Sequence, residues 1–497
     1  MIFAKHSNSV GASSIPRSTS LLTLLLVTLM IVPQLVSSIN SSRCGPDWIS
    51  FTCDFSNTRY NAESKITESN VNRLIQKWFF ETDHSVTSTP IVSNDKVYFA
   101  DWAANVYSVN IADGSLNWKV NVGPPTTSVE AISSTPAVAN GLVYVAGGPF
   151  GTTSAPEHEV IALDQTDGHV VWTHDIHTSV KEATSIWASP IVYNGLVYVG
   201  VAGQDVKIVG EIGEIDALNA ITGAKVWNFT TGIGTAAGAP VWGSVVVDPT
   251  LNAIYFGTGN VFDNHLSKDT NSLYAYSIMD LDATTGKLNW FFQVYHNHLA
   301  GDDNDFGSTP NLFDLKIGSV VYQAVGLGGK DGKYYVIDRT NGHSLVNRSM
   351  NSATTFVTES GIIGLAGFIY SDGVPSNGNP QIFIPSTFRN SSTGKTHGLI
   401  TAFNPSSNST SWTFTAKGHV DGSVVIVPGA ILFGDRKGFL YAISTADGHQ
   451  LKKIDLPFGQ IGGGVTVAEG FVLVGNFIKN VFATDPRLGV YAFAPRQ

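Results

Sequence analysis

Residues 106–118, VYSVNIADGSLNW, decide the fold: an alternating strand runs into a turn containing Gly114, and Trp118 follows four residues later. The piece recurs as VIALDQTDGHVVW (Gly168, Trp172), IDALNAITGAKVW (Gly223, Trp227) and DLDATTGKLNW (Gly286, Trp290). Weaker copies stand at Gly342, where Val346 takes the Trp position, at Trp412, and at Gly448. A second piece precedes each copy, a small residue and a strand-opening Pro: STPIVSNDKVYFA at Pro90, STPAVANGLVYVA at Pro136, ASPIVYNGLVYVG at Pro190, APVWGSVVVDPTLNAIYFG at Pro240 and STPNLF at Pro310. Degenerate copies begin near Gly367, Ser423 and Gly464, so eight inner strands face seven turn pieces. About four strands per repeat of 40–70 residues predicts propeller blades. NVNRLIQKWFF, with Trp78, supplies the missing outer strand by closing the ring with the last repeat, which removes the open edge. The reading is all-β, one eight-bladed β-propeller over residues 39–497. The segments 262–272, 295–308 and 350–365 are its long loops over one face, and tryptophans at the repeat position are wedges between blades.

Composition agrees and sets limits. Of 497 residues only 14% are charged, with 43% hydrophobic and 50 Gly, which excludes extended disorder and helical bundles. A net charge of −10 with no basic stripe argues against nucleic acid. Two cysteines, Cys44 and Cys53, are too few for a cysteine zinc site or an iron–sulfur centre, and without C-x-x-C-H there is no attached haem. Lys5, Arg17 and the apolar run 21–36 followed by Ser37 and Ser38 read as a signal peptide over 1–38, with a signal anchor as the alternative. Sequons at Asn40, Asn228, Asn347, Asn390 and Asn408, and a C-x8-C loop able to close as a disulfide, suit a secreted glycoprotein with no membrane span after cleavage.

The turn-and-Trp repeat resembles that of the quinoprotein alcohol dehydrogenases, eight-bladed propellers that bind pyrroloquinoline quinone (PQQ). The stretch DWISFTCDFSNTRYNAESKITESNVNRLIQKWFF, followed by VYFADWAANVYSVN, is most similar to the polyvinyl-alcohol dehydrogenase branch. Non-enzymatic propellers such as outer-membrane assembly scaffolds share the repeat, so site residues must discriminate.

The resemblance implies a set of roles. VWGSVVVDPTLNAIYFGTGN places Trp242 as the indole floor under the quinone and Asn260 as a metal ligand, at the family spacing and outside the wedge register. Counting from Pro190 puts Asp205 at the second metal-ligand position, where the family has Glu; Glu211 is the fallback. In WFFQVYHNHLAGDDNDFGSTP the candidates for general base are Asp302, Asp303 and Asp305, the D-x-D-F-G pattern favouring Asp303, with Asp305 as a second carboxylate near the ion. His296 and His298 flank this loop as surface residues. Lys330, before Asp331-Gly332 and the strand YYVIDR, is the cation at the quinone oxygens and a catalytic group. The adjacent Cys pair of the methanol-oxidising branch is absent. The implied cofactors are PQQ and calcium, or a lanthanide, and the implied partners are a secondary or polymeric alcohol and an external electron acceptor. The competing reading is a secreted, non-catalytic propeller that binds a protein or glycan. A nicotinamide enzyme is set aside for want of G-x-G-x-x-G.

Overall fold

The computed structural model describes residues 44–123, 132–147, 159–176, 184–203, 213–231, 237–262, 273–295, 304–350, 366–370, 377–389, 395–479 and 484–496. The expected signal segment, residues 1–38, lies outside them. Among the described residues no helix is long and apolar enough to cross a membrane.

Among the described residues eight antiparallel sheets follow one another as blades, seven of four strands and one, blade 3, of five because Thr184–Ser185 also pairs with its second strand; Ala237–Gly238 and Val261–Phe262 form a further two-stranded sheet. Blade 1 runs Ile91–Ser93, Lys96–Ala100, Asn105–Asn110, Leu116–Asn121, and blade 4 runs Val246–Asp248, Ala253–Gly257, Ser277–Asp282, Leu288–Gln293. The inner strands of blades 2, 3, 5, 6 and 7 begin at Ala137, Ile191, Asn311, Gly367 and Val425. Blade 8 consists of Val465–Ala468, Phe471–Gly475 and Gly489–Pro495, completed on its outer edge by Leu74–Glu81, which pairs antiparallel with Gly489–Pro495. The chain therefore closes its own ring with the strand that contains Trp78, as the repeat count requires.

The tryptophan wedges follow one rule. On the outer strand of blade 1 only Trp118 is buried. Its indole packs on Gly168 of the next blade, where a Cβ would stand 2.7 Å from the ring, and its Nε1 donates to the Gln165 carbonyl at 3.2 Å. Trp78, Trp172, Trp227, Trp290 and Trp412 repeat the contact on Gly114, Gly223, Gly286, Gly342 and Gly448. These glycines sit at φ between +70° and +79°, so backbone and neighbour both exclude a side chain. Where Val346 replaces the tryptophan, the corresponding turn of blade 6, 405–408, has no glycine, so wedge and socket are lost together.

One structural correction concerns blade 4. Pro240 does not open its inner strand; that strand begins at Val246, and Ser244-Val245 stands where blades 1, 2, 3 and 5 carry Thr-Pro or Ser-Pro. The reason for the small residue is a hydrogen-bond chain that runs part of the way around the axis, from blade 8 to blade 4. Thr89 Oγ1 accepts from Gly464 N–H (2.9 Å), Thr135 Oγ1 from Thr89 (2.9 Å), Ser189 Oγ from Thr135 (2.9 Å) and Ser244 Oγ from Ser189 (2.8 Å). Each hydroxyl thus staples the blade behind it.

The segment Trp48–Asn61 visits every blade in turn, a role its non-periodic sequence did not reveal. It exchanges backbone bonds with Val92 (2.8 Å each way), accepts from Val138 through Ile49, and sets the Phe55 ring edge-on to Tyr193 at 5.4 Å. Carbonyls of Phe55, Ser56, Thr58 and Arg59 then accept from Val247, Leu312, Phe368 and Ile426, and Asn61 Nδ2 donates to Val467. The Cys44–Cys53 disulfide clasps the start of this segment. Arg59 is fully buried, stacked 5.0 Å from the Trp48 ring centroid and hydrogen-bonded to the Val424 and Phe51 carbonyls; burial pushes its pKa down to about 9. Asp54, whose Oδ1 accepts from Ser56 and Thr58 N–H at 3.0 Å, is pushed up to about 6 by burial.

Candidate functional site

A cavity of about 270 Å³ lies on the axis. Phe51 of the plugging segment contributes to its wall, together with the hydroxyl residues Thr89, Thr135, Ser189 and Ser244. The residues two positions earlier in each repeat form a further tier of the same wall: Thr87, Ser133, Trp187, Trp242, Gly307, Asp421 and Gly462. Trp242 is thus a position of the repeat that has been given an unusual residue.

Its neighbour in the tier explains its posture. A Cβ on Gly307 would stand 1.7 Å from Trp242 Cη2, so the indole extends over blade 5 through space that only glycine leaves open. Trp187 from blade 3 meets it edge-on, with ring centroids 6.2 Å apart and planes at 90°.

Three expected residues come together here. Trp242 Nε1 donates to Asp305 Oδ2 at 2.8 Å, Lys330 Nζ lies 2.9 Å from Asp305 Oδ1, and the same Nζ is 4.7 Å from the indole centroid. The pair is largely out of water, with side-chain exposures of 16% for Lys330 and 3% for Asp305. Asp305 is therefore the hub that sets the indole and the ammonium relative to each other, a role beyond the expected one near an ion. The turn behind Lys330 is pinned by Asp331, whose Oδ2 accepts from the Tyr295 and Tyr335 hydroxyls at 2.6 Å each and whose Oδ1 accepts from Lys333 N–H at 3.0 Å. Burial, reinforced by that carboxylate, pushes the Tyr335 hydroxyl far above its ordinary pKa.

Asn260 follows strand Ala253–Gly257 through Thr258-Gly259, held by a 2.7 Å bond from Gly259 N–H to the Pro240 carbonyl. A Cβ on Gly259 would meet Pro240 Cγ at 2.6 Å, so the Gly of the G-T-G-N motif is a packing requirement. Asn260 is 7% exposed, and its side-chain amide makes no hydrogen bond with another described residue. Asn304, next to Asp305, is 8% exposed and its Oδ1 likewise has no hydrogen-bond partner among the described residues. A buried amide oxygen is rarely left unsatisfied, and that of Asn304 suits a hard cation or a hydrogen-bonding ligand, as does the amide of Asn260. A flat indole with its approach cleared by glycine, two buried amides and a lysine ammonium fit a planar anionic quinone with its metal. Asp205, Glu211, Asp302, Asp303, His296 and His298 lie outside the described residues.

The sequence reading passed over Trp187, Gly307 and Asp331. The signals were present as W-x-S-P, F-G-S-T-P and K-D-G, but their roles depend on which blades adjoin.

Comparison with known proteins accords with this geometry. A family model described as "Glucose/ethanol/alcohol dehydrogenase, beta-propeller domain" matches residues 179–355, and one described as "Outer membrane protein assembly factor BamB" matches residues 60–156. The chain is 27% identical over 394 residues to a quinohemoprotein alcohol dehydrogenase of Comamonas testosteroni, covering 69% of this chain and 53% of the relative. It thus spans about half that relative's length. Among solved structures, the fold is shared with quinohemoprotein alcohol dehydrogenase ADHIIG of Pseudomonas putida HK5 (TM-score 0.74, 19% identity, 91% of this chain and 80% of that one). It is also shared with a europium-containing methanol dehydrogenase (TM-score 0.71, 17% identity, 90% and 98%). The matched family model and the relatives make this chain similar to quinoprotein alcohol dehydrogenases, and the solved structures share its propeller fold.

Proposed function

We propose that the protein is a secreted, glycosylated PQQ- and metal-dependent dehydrogenase that oxidises a secondary or polymeric alcohol and passes electrons to an external acceptor. The observation that carries the proposal is the Trp242–Asp305–Lys330 cluster, an arrangement a bare scaffold does not need. When bound, PQQ would supply a two-electron acceptor for the carbinol hydrogen and the metal a Lewis acid.

The chain's own groups do the rest. Trp242 offers a π face to the planar ring, and Lys330 holds positive charge where the quinone oxygens would gain electron density. Asp305 keeps that ammonium from drifting. Asn260, with Asp205, supplies amide and carboxylate oxygens, a donor set for calcium or a trivalent ion of similar size. Asp303 takes the alcohol's hydroxyl proton on its carboxylate. The likeness to the polyvinyl-alcohol branch supplies the substrate class.

The match of residues 60–156 to an assembly-factor repeat favours a second reading, a non-catalytic propeller that binds a partner. Reconstitution with PQQ and calcium, followed by dye-linked oxidation of a panel of secondary alcohols, tests the first. Metal-dependent turnover that Asp303→Ala abolishes while retaining cofactor binding supports it; no turnover with any alcohol in protein that binds the cofactor removes the activity.

A further inference from the structure

Four blades set one side chain each against the wall tier from the same place in the repeat: Trp102 meets Thr87, Lys330 meets Trp242, Arg436 meets Asp421 and Phe477 meets Gly462. The second residue after the second strand donates its backbone N–H to a carbonyl ahead of the inner strand: Trp102 to Ser85 (3.0 Å), Lys330 to Asp305 (3.0 Å), Arg436 to His419 (2.9 Å) and Phe477 to Gln460 (2.9 Å). In blades 1 and 7 the turn is built by a fully buried aspartate. Asp101 Oδ1 accepts from Ala103 and Asn105 N–H at 2.9 and 3.0 Å, and Asp435 Oδ1 accepts from Lys437 and Phe439 at 2.9 and 3.1 Å. Such turns hold the presented residue in one place.

The four residues form two pairs of different chemistry. Trp102 and Phe477 are in ring contact, with centroids 5.9 Å apart. Lys330 and Arg436 are the cations, each set against a carboxylate: Lys330 against Asp305, and Arg436 Nε against Asp421 Oδ2. Asp421 belongs to the wall tier that also contains Trp242 and Gly307, so the blade 7 pair borders the same cavity. Blades 5 and 7 stand two apart in an eight-fold ring, a quarter turn about the axis.

We propose that Arg436 is a carboxylate-binding arm of the cofactor site. With Lys330 at the quinone oxygens, the Arg436 guanidinium on blade 7 would hold one of the peripheral carboxylates of the tricarboxylate PQQ. Arginine suits this position because its planar donor fork matches a carboxylate and stays charged at any working pH. Asp421 holds the guanidinium through Nε and limits its rotamers. The proposal rests on the cofactor reading above and adds a residue from a blade to which that reading assigned nothing. A purely structural Arg436–Asp421 pair would make no distinction among ligands, and this separates the two cases.

The test is a titration read by tryptophan emission, in excess calcium, with PQQ and two of its monomethyl esters. One ester is blocked at the pyrrole carboxylate and the other at the pyridine carboxylate remote from the quinone. The proteins are wild type, Arg436→Lys and the charge-neutral double variant Arg436→Met with Asp421→Asn, each checked for an unchanged far-UV spectrum. The double variant is expected to bind PQQ about 10- to 50-fold more weakly, as for loss of a charged hydrogen bond, with Arg436→Lys recovering part of the loss. One ester should bind wild type as weakly as PQQ binds the double variant, and lose nothing further there, because ester and variant remove the same contact. If PQQ and both esters are weakened by the same factor, or none is, the arm is overturned and the pair is structural. Absence of PQQ binding by wild type overturns the cofactor reading and the arm with it.

Discussion

The six-membered ring of Trp242 occupies the space in which a Cβ on Gly307 would stand. The indole belongs to blade 4 and the glycine to the equivalent tier position of blade 5, so a floor on the axis is made by enlarging one position of the repeat and emptying the next. Asp305, two residues before that glycine, then takes the indole N–H and the Lys330 ammonium.

Gly307→Ala should therefore swing the indole away while leaving the blades intact. Overpacking of this kind costs about 1–3 kcal/mol. Near-UV circular dichroism should lose part of its tryptophan signal, and PQQ affinity should fall at least tenfold. An unchanged near-UV spectrum would show that the indole does not need the space.

Lys330→Met should destabilise the fold by about 3–5 kcal/mol, because it strips a buried carboxylate of its cation. Lys330→Met combined with Asp305→Asn should recover most of that loss, since no uncompensated charge remains. Chemical denaturation of the two single variants and the double one measures the coupling, and additive losses would refute a direct pairing.

The wedge rule can be isolated with two glycines of nearly equal backbone. Gly141 and Gly168 sit at φ +76° and +79°, but a Cβ at 141 would meet nothing within 4 Å, whereas one at 168 would stand 2.7 Å from Trp118. Gly141→Ala should cost only the left-handed strain, about 1–2 kcal/mol. Gly168→Ala should cost roughly 1–3 kcal/mol more, from displacing the indole. Equal melting temperatures for the two variants would contradict the wedge.

Asp54 gives a signed pH dependence. Its folded pKa of about 6 lies above the ordinary 3.8, so between those values the folded chain binds more protons than the unfolded one. Stability should then fall as pH rises through this window and level off above it, by up to roughly 3 kcal/mol from this group. In Asp54→Asn, which keeps the acceptor for Ser56 and Thr58, that decline should vanish. A parallel stability profile in the variant would place the titration elsewhere.

The ring was legible in the sequence because each blade needs a local strand, a left-handed Gly turn and a Trp at a fixed offset, all of them neighbours along the chain. Closure by the Trp78 strand followed from counting. The plug formed by Trp48–Asn61 was not legible: its contacts span the whole chain, as in the bond from Asn61 to Val467, and its hydrogen bonds impose no period. Pro240 misled because Pro is only the companion of the stapling hydroxyl, and blade 4 kept Ser244 without it. At the site, Trp242 stood out because it lies outside the wedge register, and Lys330 was reached through the family resemblance. Gly307 and Arg436 carried no such signal, and their meaning comes from the blade next door.

The central claim is that the axis carries a quinone site over Trp242. Its most direct test is a titration of the purified protein with PQQ, with and without excess calcium or lanthanum, following quenching of tryptophan emission, with Asn260→Ala in parallel. The account predicts saturable quenching near one equivalent that requires the metal and weakens at least tenfold in the variant. Well-folded protein that shows no saturable, metal-dependent quenching would contradict it and leave a propeller whose axial cluster serves only its own packing.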